Sequence, residues 1–169
     1  MSECPVCDFP KDEVIYPLID RIDDEDLQIT LACDFAEHVA DLTEDPDISR
    51  GWLDAARGRK ENSAALERAR VRAERARREE PREPGSMSAK TWAAIAVQRA
   101  LWAALHPGTS HKALSETWNA AANAAWATED RPDEVDWQVS HMRELACTCR
   151  HTPAAGPPCD RNRVSLLAS

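Results

Sequence analysis

From residue 89 to residue 105 the chain is apolar on nearly every side, with Gln98 and Arg99 the polar interruptions after Trp92, and nothing in the stretch breaks a helix. A helix that is hydrophobic all round has no solvent face, so it must lie at the centre with other helices packed about it. At 14 residues, the apolar part (92–105) is too short to span a bilayer. The rest of the composition agrees: one Tyr and two Phe stand against six Trp and many Ala. Ala lets helices approach closely and Trp fills wide gaps, whereas a sheet wants β-branched and aromatic side chains. The 169 residues suffice for one core, burying roughly two-thirds of the surface of the unfolded chain. The sequence therefore predicts an all-α, single-domain bundle of about six helices.

The other helices follow from periodicity and punctuation. Val14, Ile15, Leu18, Ile19 and Ile22 recur at helical spacing, with Pro17 near a helix start. Leu27, Leu31, Phe35, Val39 and Leu42 form one stripe, predicting a helix over 25–43 that Asp45-Pro46 stops. Asp47 or Ser49 can cap the next helix, with Trp52, Leu53, Ala55 and Ala56 apolar and Gly58 a stop. Over 63–80, Leu66, Ala69, Ala73 and Ala76 make a narrow apolar face among Arg and Glu, and Arg70–Glu74 and Glu74–Arg78 can pair four residues apart. Residues 81–88, with two Pro and a Gly, read as a linker. Ser110 can cap a helix carrying Leu114, Trp118, Ala121, Ala122 and Ala125, and Asp133 a last helix over 133–146. The division expected is a bundle over 1–150, opening on a cysteine knuckle, and a Pro/Gly-containing tail over 151–169 packed in part through Cys159.

The net charge of −9 is unevenly laid out. Residues 1–49 hold 15 acids and 2 bases, residues 50–90 hold 7 acids and 12 bases, and the remainder holds 8 and 7. An acidic front argues against general nucleic-acid affinity and suits a basic partner, although solubility alone would also account for it. The first ten residues are acidic and cysteine-bearing, with no secretory n-region or h-region, so the chain reads as a soluble cytoplasmic protein with reduced or metal-bound thiols.

Five of the six cysteines lie at the two ends: Cys4 and Cys7 in a Cys-x-x-Cys at the front, and Cys147, Cys149 and Cys159 at the back, with His151 among them. Zinc takes four N or S ligands in a tetrahedron, and these six residues offer more than enough for one structural ion clasping the ends. Free thiols or a disulfide are the alternatives.

In the body of the chain, Asp34 stands one helical turn before His38, where a carboxylate could hold the imidazole in one tautomer for acid/base work or metal binding. A core histidine satisfied by Asp34 is the plainer reading. Asn119 and Asn123 flank an apolar face and need partners if covered, so a pocket among Asp34, His38, Asn119 and Asn123 would suit an enzyme or a small-ligand protein. Arg68, Arg72 and Arg75 fall on one line and could track phosphates, but Glu67, Glu74, Glu79 and Glu80 are interleaved and no aromatic residue is there to stack on bases. No phosphate loop, nucleophile elbow or zinc-protease motif occurs, which counts against the common enzyme classes.

Three segments carry a family resemblance. They are Leu31-Ala32-Cys33-Asp34-Phe35-Ala36-Glu37-His38-Val39, then Asp45-Pro46 with Trp52-Leu53-Asp54-Ala55-Ala56-Arg57-Gly58, then Val135-Asp136-Trp137-Gln138 with Leu145. In this order they resemble a family of Ala-rich helical immunity proteins associated with toxin systems. The resemblance implies a cytoplasmic helical bundle that binds and silences a toxin, with no agreed catalytic set. The cysteine-bearing ends and the Arg/Glu helix depart from that pattern. The function expected is therefore a binding protein that meets a basic protein partner through acidic surface over 20–47, with the enzyme or small-ligand protein as the alternative, with no membrane and with a pair of protomers as the default assembly.

Overall fold

The computed structural model describes residues 19, 22, 24–79, 87–106, 110–128 and 131–146. Among them there are six α-helices and no strand: α1 (Glu25–His38), α2 (Pro46–Arg57), α3 (Ser63–Glu79), α4 (Ala89–Leu105), α5 (Ser110–Ala127) and α6 (Arg131–Ala146), with a 3-10 turn, Ala40–Leu42, after α1. The all-α bundle expected from composition is the fold observed. The short helix expected around Pro17 and the tail over 151–169 fall largely or wholly outside the described residues, although Ile19 and Ile22 are buried in the core. No helix among the described residues is long and apolar enough to cross a membrane.

Four of the helix starts have a local cause in a side-chain cap. The Asp24 carboxylate accepts from the Leu27 amide at 3.1 Å, with Glu25 and Asp26 in the first turn complementing the helix dipole. Asp45, not Asp47 or Ser49, caps α2, accepting from the Ile48 amide at 3.0 Å, because Pro46 occupies the first helical position where no N–H is needed. Asn62 and Ser88 cap α3 and α4 in the same way, accepting from Ala65 at 3.0 Å and Thr91 at 3.2 Å. The last helix begins at Arg131, two residues before the expected cap Asp133, which leaves Pro132 in the first turn. The first helix stops at His38, four residues after Asp34, and tightens into the 3-10 turn where a helix to Thr43 was expected.

The apolar α4 is the central element. It packs most extensively on α5 and also touches α1, α2 and α3. Both helices bury small residues, Ala93, Ala96, Ala100 and Ala103 on α4 and Ala120, Ala121 and Ala124 on α5. Such residues let two helices approach at the short end of the usual 8–10 Å range. The larger buried side chains, Phe35, Ile29, Leu31, Leu53, Leu66, Leu101 and Met142, fill the remaining space. Two polar side chains covered by this packing are bonded to backbone: Gln28 donates to the Ile22 carbonyl, and the Thr117 hydroxyl of α5 donates to the Gln28 carbonyl of α1 at 3.2 Å. Much less of α6 is in contact with the bundle, so individual side chains matter more there.

Candidate functional site

The densest polar constellation lies in the seam between α1 and α6. Asp34 and His38 are four residues apart on α1, and Glu134, Trp137, Gln138 and His141 recur on α6 at spacings of three, four and seven, so each set shares a face. His38 and Asp34 are not each other's partners, contrary to the expectation from their spacing. His38 Nδ1 bonds Glu134 Oε2 at 2.7 Å, and His141 Nε2 bonds Asp34 Oδ2 at 2.8 Å. Both imidazoles stack on the Trp137 indole, with ring centroids 3.7 Å away for His38 and 5.0 Å for His141, while Phe35 meets the same indole edge-on at 6.2 Å. Asp34 turns to α6 and α2, and the His38 side chain is 43% exposed.

The carboxylates are themselves held. Glu134, only 2% exposed, accepts from Gln138 Nε2 at 2.9 Å through its second oxygen, and Gln138 also donates to the Ala121 carbonyl of α5 at 3.0 Å. Asp34 accepts from Arg57 Nη2 at 2.7 Å, and the same nitrogen reaches Glu37. Burial works against the charged Arg57 guanidinium, but its hydrogen bonds to Asp34 and Glu37 outweigh that and hold its pKa above the ordinary arginine value. Two histidine–carboxylate pairs thus tie α6 to α1, and one continues through Arg57 to α2.

A carboxylate behind an imidazole fixes its tautomer and leaves the far nitrogen available, an arrangement used both by general bases and by metal sites. Among the described residues no group of three or more His, Cys, Asp or Glu is placed to hold a metal ion. Asn119 and Asn123 do not join Asp34 and His38: the Asn123 amide donates to the Asn119 carbonyl one turn earlier. The four polar residues proposed from sequence as one pocket do not form one hydrogen-bonded group: Asp34 and His38 lie in the seam, and the Asn123 side chain bonds back to its own helix. The sequence reading placed the last helix but missed the part played by its Glu134, Gln138 and His141, which sit at core spacing beside Trp137. Polar side chains on an apolar stripe are the signal that a buried network is present.

Cys4, Cys7, Cys147, Cys149, His151 and Cys159, the proposed zinc ligands, lie outside the described residues. Cys33, the remaining cysteine, is fully buried on α1, and burial pushes its thiol up to about 12. It is a small core side chain and not a reactive one.

Two further features lie on the surface. An open cleft of about 490 Å³ is lined by Asp24, Asp26, Arg59, Lys60 and Leu66 among others, but its cations are already engaged. Arg59 bonds Asp26 at 2.6 Å and Glu25 at 3.2 Å, and Lys60 bonds Asp26. The hydrogen bonds from Lys60 and Arg59 hold the Asp26 carboxyl below the usual range. At the corner where α1 gives way to α2, by contrast, Leu42 and Ile48 are 41% and 48% exposed, and Asp41, Glu44, Asp45 and Asp47 surround them in sequence. Arg50 bonds Asp41 at 2.5 Å and approaches Asp47 at 3.8 Å, and Lys90 approaches Glu44 at 3.3 Å. Four carboxylates against two cations leave the corner net negative. Compared with known proteins, the chain matches no family model, no curated protein and no solved structure.

Proposed function

We propose that this chain is a helical binding protein that engages a basic protein partner through the acidic corner around Leu42 and Ile48, in the manner suggested by its resemblance to toxin-neutralising immunity proteins. The observation that carries the reading is the pairing of two exposed large apolar side chains with an excess of exposed carboxylates, Asp47 being 99% exposed. Apolar anchors supply affinity at a protein interface, and a charged rim steers the partner and sets orientation. Other described carboxylates of the acidic front are committed elsewhere: Asp24 caps α1, Asp26 is taken by Arg59 and Lys60, and Asp34 belongs to the α1–α6 seam. The seam then serves as the support that holds α1 in place, and an enzymatic role is not part of the proposal.

The corner is tested by charge reversal. A partner retained on the immobilised wild-type chain and then purified should have a basic surface, and the variant E44K/D47K should associate with it at least about tenfold more slowly at low salt. A partner that bound both proteins at the same rate would refute the assignment. We further propose that a structural zinc joins the cysteine-bearing ends through four of Cys4, Cys7, Cys147, Cys149, His151 and Cys159. Elemental analysis of native protein should find zinc in equimolar ratio, and its absence would overturn that clasp.

A further inference from the structure

On α3 the charges divide in a way their sequence order conceals. Glu67 and Glu74, which seem to neutralise the arginines around them, both belong to Arg70: its guanidinium bonds Glu67 at 2.7 Å and Glu74 at 2.9 Å, and lies 5.5 Å from the Trp102 ring centroid. The bonds from Arg70 hold the Glu67 carboxyl below its ordinary value. Arg68, Arg72 and Arg75 are exposed and have no ion-pair partner among the described residues. Among the described side chains, the lysines and arginines outside α3, namely Arg50, Arg57, Arg59, Lys60, Lys90 and Arg99, are all ion-paired. Arg78, at the end of the helix, is likewise exposed and unpaired among the described residues, and spacings of four and three residues set Arg68, Arg72 and Arg75 in one stripe spanning about 10 Å of helix. Val71 is exposed beside them at 42%.

We propose that this face of α3 docks onto the acidic corner of a second copy of the chain, so that copies associate head to tail. The inference rests on the reading of that corner as a docking face and names the basic surface that fills it. Three unpaired arginines around an apolar side chain call for carboxylates around apolar side chains, and the corner of Leu42, Ile48, Asp41, Glu44 and Asp47 is such a surface. A nucleic acid is a poorer occupant. The stripe lacks aromatic residues for stacking on bases, its centre is apolar, and the chain as a whole carries −9. Because the two surfaces differ, the contact is heterologous and continues into rings or chains. Its ion pairs are exposed, so the association is weak and strongly salt-dependent.

Sedimentation velocity of the full chain tests this with two variants, R68E/R72E/R75E and E44K/D47K, whose far-ultraviolet circular dichroism and melting are checked for unchanged helix content. The wild type should exceed monomer mass at about 100 µM in roughly 50 mM salt and return towards monomer at about 500 mM, where screening is several times stronger. Each variant alone should stay monomeric, and mixing the two should restore association, since each then offers the charge the other lacks. A wild type monomeric throughout, association that survives either reversal, or a mixture of folded variants that stays monomeric overturns the second copy as occupant. Labelled polylysine separates the two readings. If it binds the monomeric wild type and loses at least about tenfold in affinity on E44K/D47K, the corner stands without the self-contact. If it binds both equally, both readings fall. Duplex DNA or polyglutamate held by Arg68, Arg72 and Arg75 in a chain that does not self-associate would replace the second copy with that occupant.

Discussion

The α1–α6 seam and the outer face of α3 are built from the same materials, charged side chains at helical spacing, and use them in opposite ways. In the seam every described carboxylate has a partner: Glu134 has His38 and Gln138, and Asp34 has His141 and Arg57. On α3, Arg70 takes both nearby glutamates and leaves Arg68, Arg72 and Arg75 without one. A buried charge without a partner would cost several kcal/mol, so the seam can exist only as a complete network. An exposed arginine costs almost nothing in the free protein and remains available to another molecule. Charge in the first place specifies the fold, and in the second it is left free for the association proposed above.

The sharpest way to break this contrast is at Glu134. Glu134→Ala removes the acceptor of both His38 and Gln138 and leaves the Gln138 amide partly unsatisfied in the core. About 2 kcal/mol of stability should be lost by urea denaturation, the upper part of the range being excluded because His38 is itself 43% exposed. Glu134→Gln keeps shape and acceptor and should lose less. If both variants were as stable as the wild type, the His38–Glu134–Gln138 part of the seam would contribute no stability, and α6 would be held by the His141–Asp34 pair and apolar packing.

His141→Ala is the next step down, because Asp34 keeps Arg57 when the imidazole is gone. A loss of about 1 kcal/mol is expected, and His141→Ala combined with Glu134→Ala should cost close to the sum of the two, since their partners are different residues. Strong non-additivity would mean that stacking on Trp137 couples the two pairs into one unit.

How far sequence could go is clear from these same residues. The apolar run of α4 and the Leu27–Phe35 stripe of α1 were legible because burial of a whole face follows from periodicity. Gly58 as the end of α2 was legible for similarly local reasons, and so was the Arg70–Glu74 pair. The partner of His38 was not, because Asp34 lies four residues away and Glu134 lies 96 residues away. Local spacing always offers the near carboxylate, and only the packing of α6 decides for the far one. The same gap hid the division of charge on α3, where the order of Arg and Glu along the chain says nothing about which guanidinium takes both glutamates.

Cys33 adds a smaller effect with a definite direction in pH. Its thiol, ordinarily at 9.0, is pushed to about 12 by burial in the native state. The native protein therefore binds this proton more tightly than the unfolded chain does. The resulting stabilisation is present in full below pH 9 and declines as pH rises towards 12. Mapping of alkylated cysteines by mass spectrometry should find Cys33 unmodified in native protein at pH 8 and modified in urea. Native modification at a rate typical of an exposed thiol would show that α1 opens locally.

The smallest expected effect bears on the other side of the comparison. Replacing Arg68, Arg72 and Arg75 singly by Ala should move stability by no more than about 0.5 kcal/mol, because each is exposed and none has a partner to lose. Arg70→Ala on the same helix should cost more, near 1 kcal/mol, since it releases Glu67 and Glu74 towards each other and uncovers Trp102. The ratio of these two costs, measured by thermal melts of the four variants, is what separates a helix whose charges all serve the fold from one that divides them. If Arg72→Ala destabilised the protein as much as Arg70→Ala, the outer arginines would have partners in the free molecule, and the face of α3 would not be available to a second copy.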